Sequence, residues 1–257
     1  INPYLPANEI SNLGKTLPQS LHGKGFEVRT FMPKFGNVNE RRNQLHEVIR
    51  LSGLNIEIND NDHPLILKVA SMQPARIQVY FIDNDDYFTK LESDIDAFGS
   101  NREDNDERAI YFARGTMETV KKLRWEPDIM QSSGWISALS PIYMKQMREK
   151  EALFVNTKII YCIEPSNPEM ASISRDILRK LQDDGIPSEF TDKFQNEAFD
   201  VNTLHKMAIE CSDGVVLLDE NIDADVMSFI ESRNIPVLSK DATQNGKPAF
   251  VEFYDLL

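Results

Sequence analysis

One feature constrains this chain more than any other: the order in which short apolar runs and helical repeats follow each other. "PDIMQS", "TKIIYCIE", "DGVVLLD" and "IPVLS" are apolar runs of strand length, and apolar residues at helical spacing lie between each successive pair. Residues 135 to 148 read as the first of these helices. Ile173, Ile177 and Leu181 mark the next, closed by Gly185, and Leu204, Met207, Ala208 and Cys211 mark another. Val226, Phe229 and Ile230 mark the last. A strand that leads into a helix and back to a strand forms a parallel crossover, and strands buried on both faces read as continuous apolar runs. The pattern predicts an α/β fold of Rossmann-like kind: a mostly parallel sheet with helices on both faces.

The first third of the chain is patterned differently. Ile10, Leu13, Leu17 and Leu21 repeat at helical spacing, with Gly23 or Gly25 as the stop and Pro18 marking a kink or a tight contact. The strand "FEVRTFMP" follows. "HEVIRLSGLNIEI", "PLILKVASM" and "RIQVYFID" then alternate apolar and polar residues around the turn signals Ser-Gly and Asn-Asp-Asn-Asp. These are read as hairpins inserted into the sheet. "DNDERAIYFARGTMETVKKLR" is a helix with its acids at the N-terminal end, where the helix dipole favours them.

Charge and cysteine content narrow the function classes. The net charge of −13 repels phosphate backbones, so no nucleic-acid partner is expected. No apolar run reaches the length of a membrane span and no signal peptide is visible, so a cytoplasmic protein without a membrane partner is expected. Cys162 and Cys211 each follow an apolar stretch and are read as buried reduced thiols. His22, His46, His63 and His205 are scattered, with no metal-ligand spacing. Neither a metal site nor a cofactor is expected.

No motif supplies an obvious catalytic group. "NLGKT" lacks the first glycine and the preceding strand of a phosphate loop, and there is no Gly-x-Ser-x-Gly elbow. "QSSGWISALSPIYMK" ends a strand in a small-residue turn before a helix, the place where α/β proteins put their chemistry. It carries no acid, base or thiol. Ser132 and Ser133 are read as turn residues rather than nucleophiles. The acids of "FIDNDDYF" and "EDNDE" are read as solvated surface, Phe88 as core, and Tyr87 and Trp135 as candidates for stacking on a sugar ring.

Several segments in order resemble the N-terminal half of the glycogen/starch synthase family. "INPYLPANEISNLGKTLPQSLHGKGFEVRTFMPKFG" resembles its opening helix and following strand, and "QVYFIDNDDYF" resembles "VYFLDNPEYF". "DNDERAIYFARGTMETVKKLRWEPDIMQSSGWISALSPIYMK" resembles the helix leading into "KPDIIHCHDWHTALVPLYLK". "NTLHKMAIECSDGVVLLD" is more weakly similar to "NLLKAGILYADKVTTVS". The resemblance implies one half of a GT-B architecture, whose members transfer glucose from ADP- or UDP-glucose to an α-glucan. It also implies substrate contacts near Asp83, Asn84, Tyr87, Ser133, Trp135 and Ser137.

The departures from that pattern carry the functional expectation. Where the family has a Lys-x-Gly-Gly-Leu loop for the donor phosphates, this chain has Pro6, Asn8, Glu9 and Ile10, and Asn12 replaces the acid that usually follows. Where it has His-Asp-Trp-His-Thr, this chain has Ser133, Gly134, Trp135, Ile136 and Ser137. Its Thr-Ile-His-Asn segment becomes Cys162, Ile163, Glu164 and Pro165. A single domain over residues 1 to 257 is expected, with a first strand missing before Ile1 and no C-terminal GT-B domain. The expected function is a degenerate, noncatalytic relative with no catalytic residues. Its partners would be an α-glucan, a nucleotide sugar or another small ligand, or a protein at the open cleft face. The competing expectation is an ADP- or UDP-glucose-dependent α-glucan glucosyltransferase whose second domain is supplied in trans.

Overall fold

The structure is a computed structural model and describes residues 1–23, 25–89, 102–164 and 173–257. The chain divides into two compact units, Ile1–Gly99 and Ser100–Leu257. Among the described residues the strands form two sheets. No helix of those residues is long and apolar enough to cross a membrane.

The N-terminal unit opens with helix α1 (Glu9–His22). Asn8 caps it: its Oδ1 accepts the Ser11 N–H at 2.7 Å, and its own N–H donates to Ser11 Oγ at 2.8 Å. This reciprocal box satisfies two backbone donors that a helix start leaves open. Leu17, Pro18 and Leu21 are buried, so Pro18 sits in a close contact. Strands β1 (Arg29–Pro33), β2 (His46–Glu47), β3 (Leu54–Ile58), β4 (Asn61–Met72) and β5 (Ile77–Asp83) follow. Their order is β1-β5-β4-β2, with β3 also on β4. β1 runs parallel to β5, and the other pairs are antiparallel, as the hairpin reading requires. The segment 46–58 is not one strand. It breaks after Glu47 because Ser52 Oγ accepts the Leu67 N–H at 3.0 Å and Gly53 turns with φ +86°. Leu65, Leu67, Val79 and Phe81 bury one core, with Tyr4 edge-on to Phe81 at 5.0 Å.

The C-terminal unit carries the parallel sheet. Its elements are α2 (Asn105–Lys122), β6 (Ile129–Ser133), α3 (Ser140–Lys150), β7 (Lys158–Ile163), α4 (Ile177–Asp183), α5 (Ser188–Thr191), α6 (Val201–Glu210), β8 (Gly214–Leu217), α7 (Ala224–Arg233), β9 (Val237–Leu238), α8 (Lys240–Thr243) and α9 (Lys247–Asp255). Strand order is β6-β7-β8-β9, every pair parallel. Ser133, Cys162, Val216 and Leu238 stand in register across it. Ile159 to Ile163 are all buried, which identifies β7 as a strand covered on both faces.

Two expectations differ in detail. The helix expected over 135 to 148 is a 3-10 turn, Trp135–Ser137, followed by α3. Pro141 has no N–H to bond the Ser137 carbonyl, so the helix restarts with that proline in its first turn. The acids of "FIDNDDYF" and "EDNDE" are not all solvated: Asp83 is buried and paired with Lys68 at 2.8 Å. Lys180 on α4 holds Asp106 at 2.7 Å and Glu107 at 2.8 Å, and Lys180 and Asp106 are buried. Residues 92–101 of the acidic loop, and Pro165, lie outside the described residues.

Candidate functional site

The turn after β6 is the centre of the candidate site in the C-terminal unit. Gly134 adopts φ +81°, ψ 166°, a conformation essentially restricted to glycine. A Cβ built there would lie 2.9 Å from Glu164 Oε1. The same oxygen accepts the Trp135 backbone N–H at 2.8 Å. Ser137 Oγ donates to the Ser133 carbonyl at 2.8 Å and approaches that of Gly134 at 3.1 Å. The turn is thus tied from both sides: by Ser137 within itself and by Glu164 from the end of the neighbouring strand.

The side chains of this turn face different surroundings. The Ser133 hydroxyl bonds the Cys162 thiol, whose pKa burial pushes up to about 12. Cys211 is likewise pushed up to about 12 by burial, so both thiols stay protonated near neutral pH. Trp135 is half-buried, and the Arg108 guanidinium lies over its ring, 5.7 Å from the centroid. Arg108 is wholly buried on α2, with Nη1 donating to Asn105 Oδ1 at 2.7 Å. Such a stacked cation stabilises the ring's position by about 1 kcal/mol. Burial raises the Glu164 carboxyl above the usual carboxylate range, and the Trp135 N–H lowers it part of the way back. Ser132 Oγ is buried without a hydrogen-bond partner among the described residues.

On β7, Tyr161 OH and His205 Nδ1 are 2.8 Å apart, both residues buried. Burial lowers the His205 pKa to about 4 and raises that of Tyr161 well above its usual value. The pair is therefore neutral at neutral pH. His205 Nε2 is buried and has no partner among the described residues.

Asp83, Asn84 and Tyr87 belong to the N-terminal unit. Asp83 ends β5, buried, and its carboxylate holds Lys68 at 2.8 Å and accepts from Thr89 Oγ1 at 3.0 Å. Asn84 organises the wide helical turn Asp85–Thr89. Its Oδ1 accepts the Asp86 and Tyr87 N–H groups at 3.0 and 3.2 Å, and its Nδ2 donates to the Pro64 carbonyl at 3.2 Å. Tyr87 is 3% exposed, with its hydroxyl 3.0 Å from His63 Nε2 and its ring 4.6 Å from the His63 ring. Phe88 is core, edge-on to Phe35 at 5.9 Å.

The opening loop is self-contained. Pro6 O accepts from Ser11 Oγ at 2.9 Å, and Asn8 forms the cap. Glu9 stands in the first turn of α1, and Asn12 Oδ1 accepts from Asn2 Nδ2 at 3.1 Å. Of the residues singled out from sequence, Ser133, Trp135 and Ser137 converge on one turn. Pro6, Asn8 and Asn12 converge with Ser11 on the start of α1. Asp83, Asn84 and Tyr87 share the end of β5. Sequence reading did not single out Arg108 or the Glu164 contact. An arginine on the apolar side of α2 and an acid directly after a buried strand were the available signals.

Residues 1–234 match the family model of the starch synthase catalytic domain. A glycogen synthase of Chlorobaculum tepidum is 34% identical over 164 residues, covering 63% of this chain and 33% of that protein. A glycogen synthase of Chlorobium luteolum is 29% identical over 206 residues, covering 80% of this chain and 41% of that one. The catalytic domain of starch synthase IV from Arabidopsis thaliana, solved bound to ADP and acarbose, superposes with a TM-score of 0.69 at 16% identity. That match covers 95% of this chain and 51% of the solved one. The chain thus spans between a third and about two fifths of the length of these curated relatives.

Proposed function

The chain belongs to the glycogen/starch synthase family, and from that premise we propose that it is a noncatalytic synthase-like domain that binds an α-glucan. The observation that carries the proposal is the Asn8–Ser11 box. The resemblance assigns this loop to the donor's phosphates, and phosphate binding at a helix start needs open backbone N–H groups and a nearby cation. Here Asn8 Oδ1 takes the Ser11 N–H, and Ser11 Oγ takes the Asn8 N–H. Position 6 is a proline instead of a cation, and Glu9 adds negative charge. At the second motif position stands Ser133, an uncharged hydroxyl hydrogen-bonded to the Cys162 thiol. Removing one well-placed charge-stabilising donor costs about 100-fold or more in rate, and several are replaced together.

The glucan reading rests on the family and on the solved relative that holds acarbose. Trp135, half-exposed and held by Arg108, is the side chain best suited to lie against a sugar face. Thermal-shift and calorimetric titrations of the purified chain test this. Maltoheptaose should stabilise it saturably, and ADP-glucose should not. Glucose transfer from ADP-glucose to glycogen by the chain alone would overturn the proposal. Transfer that appears only after adding a second Rossmann-domain protein would establish the glucosyltransferase reading. No response to either ligand class would move the function to a protein partner.

A further inference from the structure

The N-terminal unit holds a cleft of about 450 Å³ that the family reading does not use. Three basic residues line it: Lys15, Arg42 and His46. Among the described residues none of its lining groups is a carboxylate, although the chain as a whole carries a net charge of −13. The nearby lysines behave differently. Lys34 and Lys68 share Glu40 at 2.9 and 2.7 Å, and Lys68 also holds Asp83. No carboxylate pairs with Lys15, Arg42 or His46 among the described residues.

Each of the three is positioned by ordered backbone. Lys15 is half-buried on α1, whose C-terminal half is tied to the sheet by Gln19 Nε2 donating to the Gln73 carbonyl at 2.8 Å. Arg42 sits in a closed loop: its N–H donates to Asn39 Oδ1 at 2.8 Å, and Leu45 N–H donates to the Glu40 carbonyl at 3.0 Å. His46 begins β2, in register with Val69 of β4, which also lines the cleft. Asn43, Gln44 and Gln73 add amide groups at the rim. Lys15 and Arg42 bring positive charge to this cleft with no carboxylate among its described lining residues, and an anion placed there would be attracted to them. An arginine fork and a lysine point charge lining one cleft are the side-chain types that suit a phosphate's oxygens.

We propose that this cleft binds a phosphate dianion, free or as the monoester of a small polyol. Its volume leaves room beside the phosphate for a short hydroxylated chain, whose hydroxyls the rim amides would meet. The proposal does not depend on whether the chain is catalytic.

Calorimetric and thermal-shift titrations of the full chain at constant ionic strength test it. The probes are inorganic phosphate, glycerol 3-phosphate, and glycerol as the neutral control. Saturable binding of phosphate is expected, roughly 10-fold or more weaker in Lys15→Met and in Arg42→Met, and unchanged in Lys158→Met on the other unit. Circular dichroism of each variant confirms that it is folded. Tighter binding of glycerol 3-phosphate than of phosphate identifies a monoester, and equal binding identifies the free ion. Three results would overturn the proposal: no saturation below about 20 mM phosphate, equal binding by all variants, or binding of poly-glutamate that phosphate does not displace.

Discussion

The Glu164 carboxylate accepts the Trp135 backbone N–H at 2.8 Å, and the same oxygen fills the space where a side chain on residue 134 would begin. One acid at the end of β7 therefore both ties the turn after β6 and crowds any side chain at residue 134.

Gly134→Ala meets two obstacles. Its φ of +81° with ψ 166° is costly for any L-residue, and the new Cβ would lie 2.9 Å from Glu164 Oε1. Destabilisation of about 2–3 kcal/mol is expected by urea denaturation. Adding Glu164→Ala should recover the part due to overlap, about 1 kcal/mol, and leave the backbone part. Strict additivity of the two substitutions would show that the carboxylate does not crowd residue 134.

Glu164 also predicts a pH dependence. Burial raises its folded pKa, so its stability contribution is full below the unfolded value of about 4.3 and is lost as pH rises through the folded value. Glu164→Gln removes that titration while its amide oxygen still accepts the Trp135 N–H. The variant should gain stability relative to the native chain at pH 8 compared with pH 4. A stability difference that is the same at both pH values would refute this.

His205 works in the opposite direction. Burial depresses its folded pKa to about 4, below an unfolded value of about 6.5. Stability from the neutral imidazole is fully present above 6.5 and is lost as pH falls toward 4, a loss of about 3 kcal/mol. In His205→Gln the urea midpoint should fall less steeply between pH 6.5 and 4 than in the native chain. Parallel curves would place the acid sensitivity elsewhere.

The cap on α1 is tested by Asn8→Ala. It removes the acceptor for the Ser11 N–H at 2.7 Å and should cost about 1 kcal/mol, with loss of helical circular dichroism near the midpoint. Asn8→Asp keeps a side-chain acceptor and should cost only a few tenths of that. A loss equal to that of Asn8→Ala would mean that the side-chain bond is not what holds the cap.

How far the sequence could be read depended on the range of the interaction. Helices α1 and α2, the strands from β4 to β8 and the parallel order of the second sheet were legible, because burial at spacings of two, three and four residues is written locally. The Asn8–Ser11 cap is of the same kind, formed within one turn, and the substitutions in the family motifs were visible directly. Only the tertiary structure decided that Glu164 reaches Trp135, 29 residues away, and that His205 meets Tyr161, 44 residues away. It also put Lys180 on Asp106, 74 residues away, where an isolated acid read as surface. Such pairs depend on which strands become neighbours and in what register. The packing of the whole unit sets that, and no residue carries a local signal for its distant partner.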